Sequence, residues 1–149
     1  MKVFAENRKA FHNFQILDKY TSGIELFGYE VKAIREGKAD FEGSFIKIEN
    51  GKPVLVNMNI GKFSKQGDLI TEGGPRRDRN LLLQKYEIGR VASKSAQKGY
   101  ALAPLKLYAD HGLIKLEFAL VKGKKTFDKK RELKQKQIDM DLKRGDARI

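Results

Sequence analysis

The chain has 149 residues, 40% of them apolar, and 31 Lys/Arg against 19 Asp/Glu give it a net charge of +12; this fits one domain able to bury roughly two-thirds of its unfolded surface. With no cysteine and only two histidines, His12 and His111, disulfides and thiolate metal sites are excluded and a structural zinc is not expected. The opening MKVFAENRKAF has no signal-peptide run and no stretch approaches the roughly 20 apolar residues of a membrane span, so the expectation is a soluble, cytoplasmic protein whose excess charge favours a polyanion: RNA, DNA or an anionic membrane surface.

ENRKAFHNF places Asn7, Arg8, Lys9 and His12 just before the first strand. It reads either as a solvated arm with a half-buried histidine or as an arm laid along RNA, with Arg8 and Lys9 on phosphates and Asn7 and His12 on bases or riboses. FQILDKY, Phe14 to Tyr20, alternates as a half-buried strand does, and TSG is expected to turn the chain. IELFGYEVKAIREGKADF reads as a strand entering a short helix, with Val31, Ile34 and Arg35 at helical spacing before the glycine cap Gly37. In GYEVKAIR, Glu30 beside Lys32 and Arg35 is either a helix charge pattern contributing a few tenths of a kcal/mol or a carboxylate on an RNA-facing surface.

SFIKIENGKPVLVNMNIG is a hairpin turning at Asn50-Gly51, with Val54 to Met58 as the returning strand. KFSKQGDLITEGGPRRDRN reads as a long exposed loop carrying Arg76, Arg77 and Arg79; these are either a solvated basic loop or a mobile clamp on phosphates. LLLQKYEIGRVASKSAQKG predicts two short helices, broken at Gly89 and ended at Gly99. YALAPLKLYADHGLIKLEFALVKG predicts a second hairpin about Asp110-His111-Gly112.

Five or six strands joined by hairpins, with short helices between them, argue against a doubly wound sheet. The expected class is mainly β: a small antiparallel OB-like barrel over residues 1–121 and a basic C-terminal tail over 122–149. That tail holds eleven Lys/Arg and five Asp/Glu, half of the total net charge. Its few apolar residues, Phe127, Leu133, Ile138, Met140 and Leu142, form no continuous stripe, while the residues between them favour a helix against a surface. No nucleophile elbow, P-loop, HExxH or paired-carboxylate signature appears, so an enzyme is not expected.

Five blocks, ENRKAFH, GIELFGYEVKAIREGKADFEGSF, PRRDRNLLLQKYEI, KGYALAPLKLY and LVKGKKTFDKK, stand in the order and at the spacings of the SsrA-binding protein (SmpB) family. The resemblance covers essentially the whole chain. It implies an OB-like barrel with a tail that is poorly ordered when free and helical on the ribosome. The implied function is binding the tRNA-like domain of tmRNA and delivering it to stalled ribosomes for trans-translation.

On the same grounds Asn7, Arg8, Lys9, His12, Glu30, Lys32 and Arg35 face tmRNA, Arg76, Arg77 and Arg79 match a basic loop, and Lys124 and Lys125 begin the tail. Phe127, Asp128, Lys129 and Lys130, with Arg131 and Lys134 after them, match the segment directed at the small-subunit decoding centre and the rRNA of the mRNA channel. Phe127 stands where the family more often has His or Tyr, and Lys130 where it more often has Arg; the first keeps a ring without a hydrogen-bonding atom, the second keeps charge without bidentate geometry. The implied partners are tmRNA and the ribosome, one copy per tmRNA, with no cofactor, membrane or small-molecule substrate. A general OB-type RNA-binding or ribosome-associated protein would share the same charge and barrel.

Overall fold

The computed structural model describes residues 2–67 and 73–123. These form β1 (Lys2–Glu6), α1 (Arg8–Asn13), β2 (Phe14–Ile24), α2 (Gly28–Arg35), β3 (Ala39–Asp40), β4 (Phe45–Glu49), β5 (Lys52–Val56), β6 (Asn59–Ile60), β7 (Arg79–Leu82), α3 (Lys85–Ser95), β8 (Tyr100–Asp110) and β9 (Leu113–Gly123). Six antiparallel strands close on themselves: the order β8-β4-β5-β7-β2-β9 returns to β8 through the β8–β9 pairing. β4 meets β8 at Leu102, and β1 pairs with residues 106–109 further along it. The result is the small antiparallel OB-like barrel expected from the hairpins.

Two tight turns set the register. Asn50 and Gly51 at φ 51° and 75°, and His111 and Gly112 at 51° and 79°, supply the paired positive φ angles of two-residue hairpins, whose twist matches that of the flanking strands. Alternation along β8 and β9 then feeds two cores. Leu102, Leu107, Leu116, Phe118 and Leu120 join Ile34, Leu55, Met58 and Val91 in the main one. Ala103, Leu105, Ala119 and Val121 face the other way and pack with Ala10 of α1, Phe14 and Ile16. Leu102 to Leu105 and Phe118 to Val121 are buried throughout, and burial on both faces is why the sequence is continuously apolar there.

Several sequence expectations change. Thr21-Ser22-Gly23 does not turn but continues β2, because Gly23 pairs with Leu82 and the strands approach so closely that a Cβ there would lie 3.2 Å from the Leu82 Cβ. The segment before β2 is no arm but a strand and a one-and-a-half-turn helix. Leu81 and Leu82 belong to a strand, and the chain beyond them forms one helix that runs through Gly89. Gly89 is exposed with open space around it; the roughly 1 kcal/mol that glycine costs a helix is tolerated because Val91 is fully buried. The strands number nine among the described residues, more than the five or six expected.

Candidate nucleic-acid interface

α1 begins at Asn7, whose position is fixed three ways. Its backbone N–H donates to the Leu105 carbonyl at 2.7 Å, its Nδ2 donates to the Pro104 carbonyl at 2.8 Å, and its Oδ1 accepts the Ala10 N–H at 3.3 Å. Pro104 and Leu105 sit at an irregularity in the β8–β9 ladder, so one residue caps the helix with its carboxamide and, through side chain and backbone together, occupies both carbonyls at the bulge. With Ala10 buried beneath it, α1 presents Arg8, Lys9 and His12 outward, all three exposed; His12 is therefore not half-buried. Lys9 Nζ lies 3.1 Å from Glu42 Oε1, a pair with both partners well exposed, where an ion pair contributes little.

α2 opens on Phe27, and Glu30, three residues on, accepts the Phe27 N–H at 2.9 Å; this is half of a capping box, since a phenylalanine has nothing to return. Glu30 is only 3% exposed. Its Oε1 also accepts from Arg77 Nη2, and its Oε2 accepts from Arg77 Nε at 3.2 Å and from Arg79 Nε and Nη2 at 2.9 and 2.6 Å. Burial pushes the Glu30 carboxyl up, but hydrogen bonds from Arg77, the Phe27 N–H and Arg79 outweigh it and hold the group below the usual carboxylate range. For Arg79, burial lowers the guanidinium pKa and Glu30 offsets only part of that; a guanidinium nevertheless keeps its charge.

The remaining N–H groups of Arg79 are also occupied. Nη1 donates to the carbonyls of Met58 (2.6 Å) and Arg77 (3.2 Å), and Nη2 to that of Pro75 (3.0 Å). Arginine has five donors, and all five of Arg79 are used inside the fold. The expectation of an exposed arginine loop thus fails for Arg79, which is fully buried, and for the half-buried Arg77. Only Arg76 of the three is exposed, with Nη1 on the carbonyls of Asn57 (3.1 Å) and Glu42 (3.4 Å). Nor is Glu30 a member of a surface charge pattern: it is the anion on which two arginines converge.

The structure therefore joins three separate stretches of sequence. Glu42 touches both Lys9 of α1 and Arg76, and the chain from Arg76 to Arg79 is tied to α2 through Glu30. Lys32 and Arg35 stay exposed on α2, Lys32 Nζ lying 5.1 Å from the centre of the Phe63 ring and Arg35 Nη2 donating to the Gly112 carbonyl at 3.2 Å. Lys124, Lys125, Phe127, Asp128, Lys129, Lys130, Arg131 and Lys134 lie outside the described residues.

Sequence reasoning missed Phe27 and Tyr29. Their rings stack with centres 5.4 Å apart, and the Arg77 guanidinium lies 4.3 Å from the Phe27 centre; the only cue was an aromatic residue where a polar cap belongs. Among the described residues no three His, Cys, Asp or Glu side chains group as metal ligands, and no helix is long and apolar enough to cross a membrane. What the arrangement offers chemically is exposed cations on a rigid frame, suited to anionic oxygen atoms along a polymer.

Comparison with known proteins gives a consistent result. The family model for the SmpB protein matches residues 4–148. The SsrA-binding protein of Caldanaerobacter subterraneus subsp. tengcongensis is 41% identical over 144 residues, covering 97% of this chain and 90% of the relative. That of Thermosipho africanus is 44% identical over 143 residues, covering 95% of each. A solved structure described as "tmRNA-SmpB: a journey to the center of the bacterial ribosome" superposes with a TM-score of 0.70 at 43% identity, covering 85% of this chain and 87% of that one.

Proposed function

The chain belongs to the SmpB family, and from that premise we propose that it binds the tRNA-like domain of tmRNA and delivers it to stalled ribosomes for trans-translation, rescuing the ribosome and tagging the nascent chain. The observation that carries this reading to particular residues is the frame built on Glu30 and Glu42. It sets Arg8, Lys9, His12, Lys32, Arg35 and Arg76 at the surface, where long cationic side chains can meet phosphates and riboses. Asn7, Glu30 and Arg79 act behind them, fixing α1, α2 and the arginine segment in place, and the half-buried Arg77 links that frame to the surface.

In this reading residues 1–121 are the tmRNA-binding body and 122–149 the ribosome-directed tail. The tRNA-like part of tmRNA lacks a normal anticodon arm, and a folded body can fill that missing volume in the decoding site. Lys124 and Lys125 lead into Phe127, Asp128, Lys129, Lys130, Arg131 and Lys134, which enter the decoding centre and empty message channel, where rRNA phosphates supply the counter-charge and the order that the tail's own composition cannot. The protein acts in the cytoplasm as one copy per tmRNA and performs no chemistry itself.

Competition tests the reading. The full chain bound to labelled tRNA-like domain is challenged with unlabelled tRNA and with unlabelled tRNA-like domain at one salt concentration. Only the second competes effectively if the docking is specific; equal competition identifies a general RNA binder and overturns the proposal.

A further inference from the structure

Phe27 occupies the N-cap of α2, where Ser, Thr, Asp and Asn are favoured because their side chains accept a helix N–H. It makes no such bond. Nor does the ring serve the interior: it is 37% exposed and belongs to neither core. A large aromatic residue that neither caps nor packs calls for another account.

Its neighbours supply one. Tyr29 stacks on it at an interplanar angle of 25°, and the Arg77 guanidinium lies over the Phe27 ring. Arg77 cannot swing away, because Nε and Nη2 are both held by Glu30. Three planar groups from two distant segments are thus fixed against one another at the surface, with exposed Arg76 adjoining Arg77 in the chain and Lys32 one turn into the same helix.

We propose that Phe27, Tyr29 and Arg77 form a stacking platform for an unpaired nucleobase of the bound RNA; this rests on the RNA-binding function proposed above. Every base has a π-face, so aromatic stacking is sequence-tolerant; because Tyr29 and the Arg77 guanidinium both lie against the Phe27 ring, the base joins the end of this stack. Arg76 and Lys32 provide cations for the phosphates flanking that base. Glu30 is the positioning residue: by anchoring Arg77 it holds the stack together.

The competing account is that Phe27 only shields the Glu30–Arg77 pair from water, and leucine separates the two because it covers the pair without offering a π-face. Binding of the full chain to a transcript of the tRNA-like domain is measured by gel shift across a salt series. The platform predicts that Phe27→Leu and Phe27→Ala each weaken binding by about 5- to 100-fold with an unaltered salt slope, and that Phe27→Trp stays within about twofold of wild type. Wild-type affinity in Phe27→Leu overturns the platform, as does a loss that disappears at high salt. Wild-type chain that prefers the tRNA-like domain no more than tRNA overturns the functional reading instead, so the two failures are told apart.

Discussion

Glu30 Oε2 accepts two hydrogen bonds from Arg79, 49 residues further along the chain, at 2.9 and 2.6 Å. Both side chains are almost wholly removed from solvent. The pair joins α2 to the first residue of β7, so it is a strut between a helix and the barrel wall.

Replacing Glu30 with alanine leaves Arg79 a buried cation without its anion, at a cost of about 3–5 kcal/mol. Urea denaturation reads this as a lowered midpoint with an unchanged slope. The same variant binds tmRNA more weakly although it is more basic, measured by gel shift at fixed salt. Tighter binding would mean that bulk attraction, not docking, governs the complex.

Arg8 and Arg79 separate surface charge from frame. Arg8→Ala flattens the log–log salt dependence of binding by roughly 0.7 to 0.9, the contribution of one neutralised phosphate, and leaves stability unchanged. Arg79→Met does the reverse, lowering stability while keeping the slope. A slope change in Arg79→Met would show that this side chain leaves the interior to meet RNA.

Acid should loosen the same strut. The folded Glu30 carboxyl is held below its ordinary value, whereas the unfolded one titrates near about 4.3. Its contribution is therefore fully present above the unfolded pKa and is lost as pH falls through the lower folded value. Denaturation midpoints from neutral to strongly acid pH fall less steeply below about pH 4 in Glu30→Gln than in wild type. Equal acid sensitivity would assign the loss to other carboxylates, of which Glu36 and Asp110 are also held low, by Ser64 and Lys115 respectively.

Truncation separates body from tail, and the ladder fixes where to cut. Lys122 pairs with Gln15 and with Tyr100, and Gly123 with Phe14, so a chain ending at Gly123 keeps β9 whole. That chain binds tmRNA nearly as well as the full one but does not support tagging of a stalled nascent chain in a reconstituted translation system. Equal loss of both activities would contradict separate roles.

Much of the barrel is legible in the sequence, and the failures have specific causes. The hairpins at Asn50-Gly51 and His111-Gly112 are readable because a short dipeptide carries the conformational demand by itself. β7 is not, because one of its two buried positions is Arg79, which breaks the apolar alternation, and its satisfaction depends on a glutamate from a remote helix. Gly23 misleads for a similar reason: its role is to let another strand approach, which no local pattern records. The candidate residues are identified as a set by family resemblance, but their division into exposed contacts and buried frame comes only from which atoms meet in three dimensions.

The β2–β9 register carries a consequence for how a signal could cross this molecule. Gly123 is aligned with Phe14, the residue immediately after α1, so the chain beyond the barrel sets out from the foot of that helix. The 26 residues after Gly123, in the helical form that the family resemblance implies for the ribosome, would reach about 39 Å. A tilt of 10° at the root would then displace the tip by roughly 7 Å at that helical rise. If the body seats on RNA through α1 and the tail is directed into the message channel, as proposed, the pose of the body aims the tail, and an angular error too small to weaken binding is enough to misdirect it.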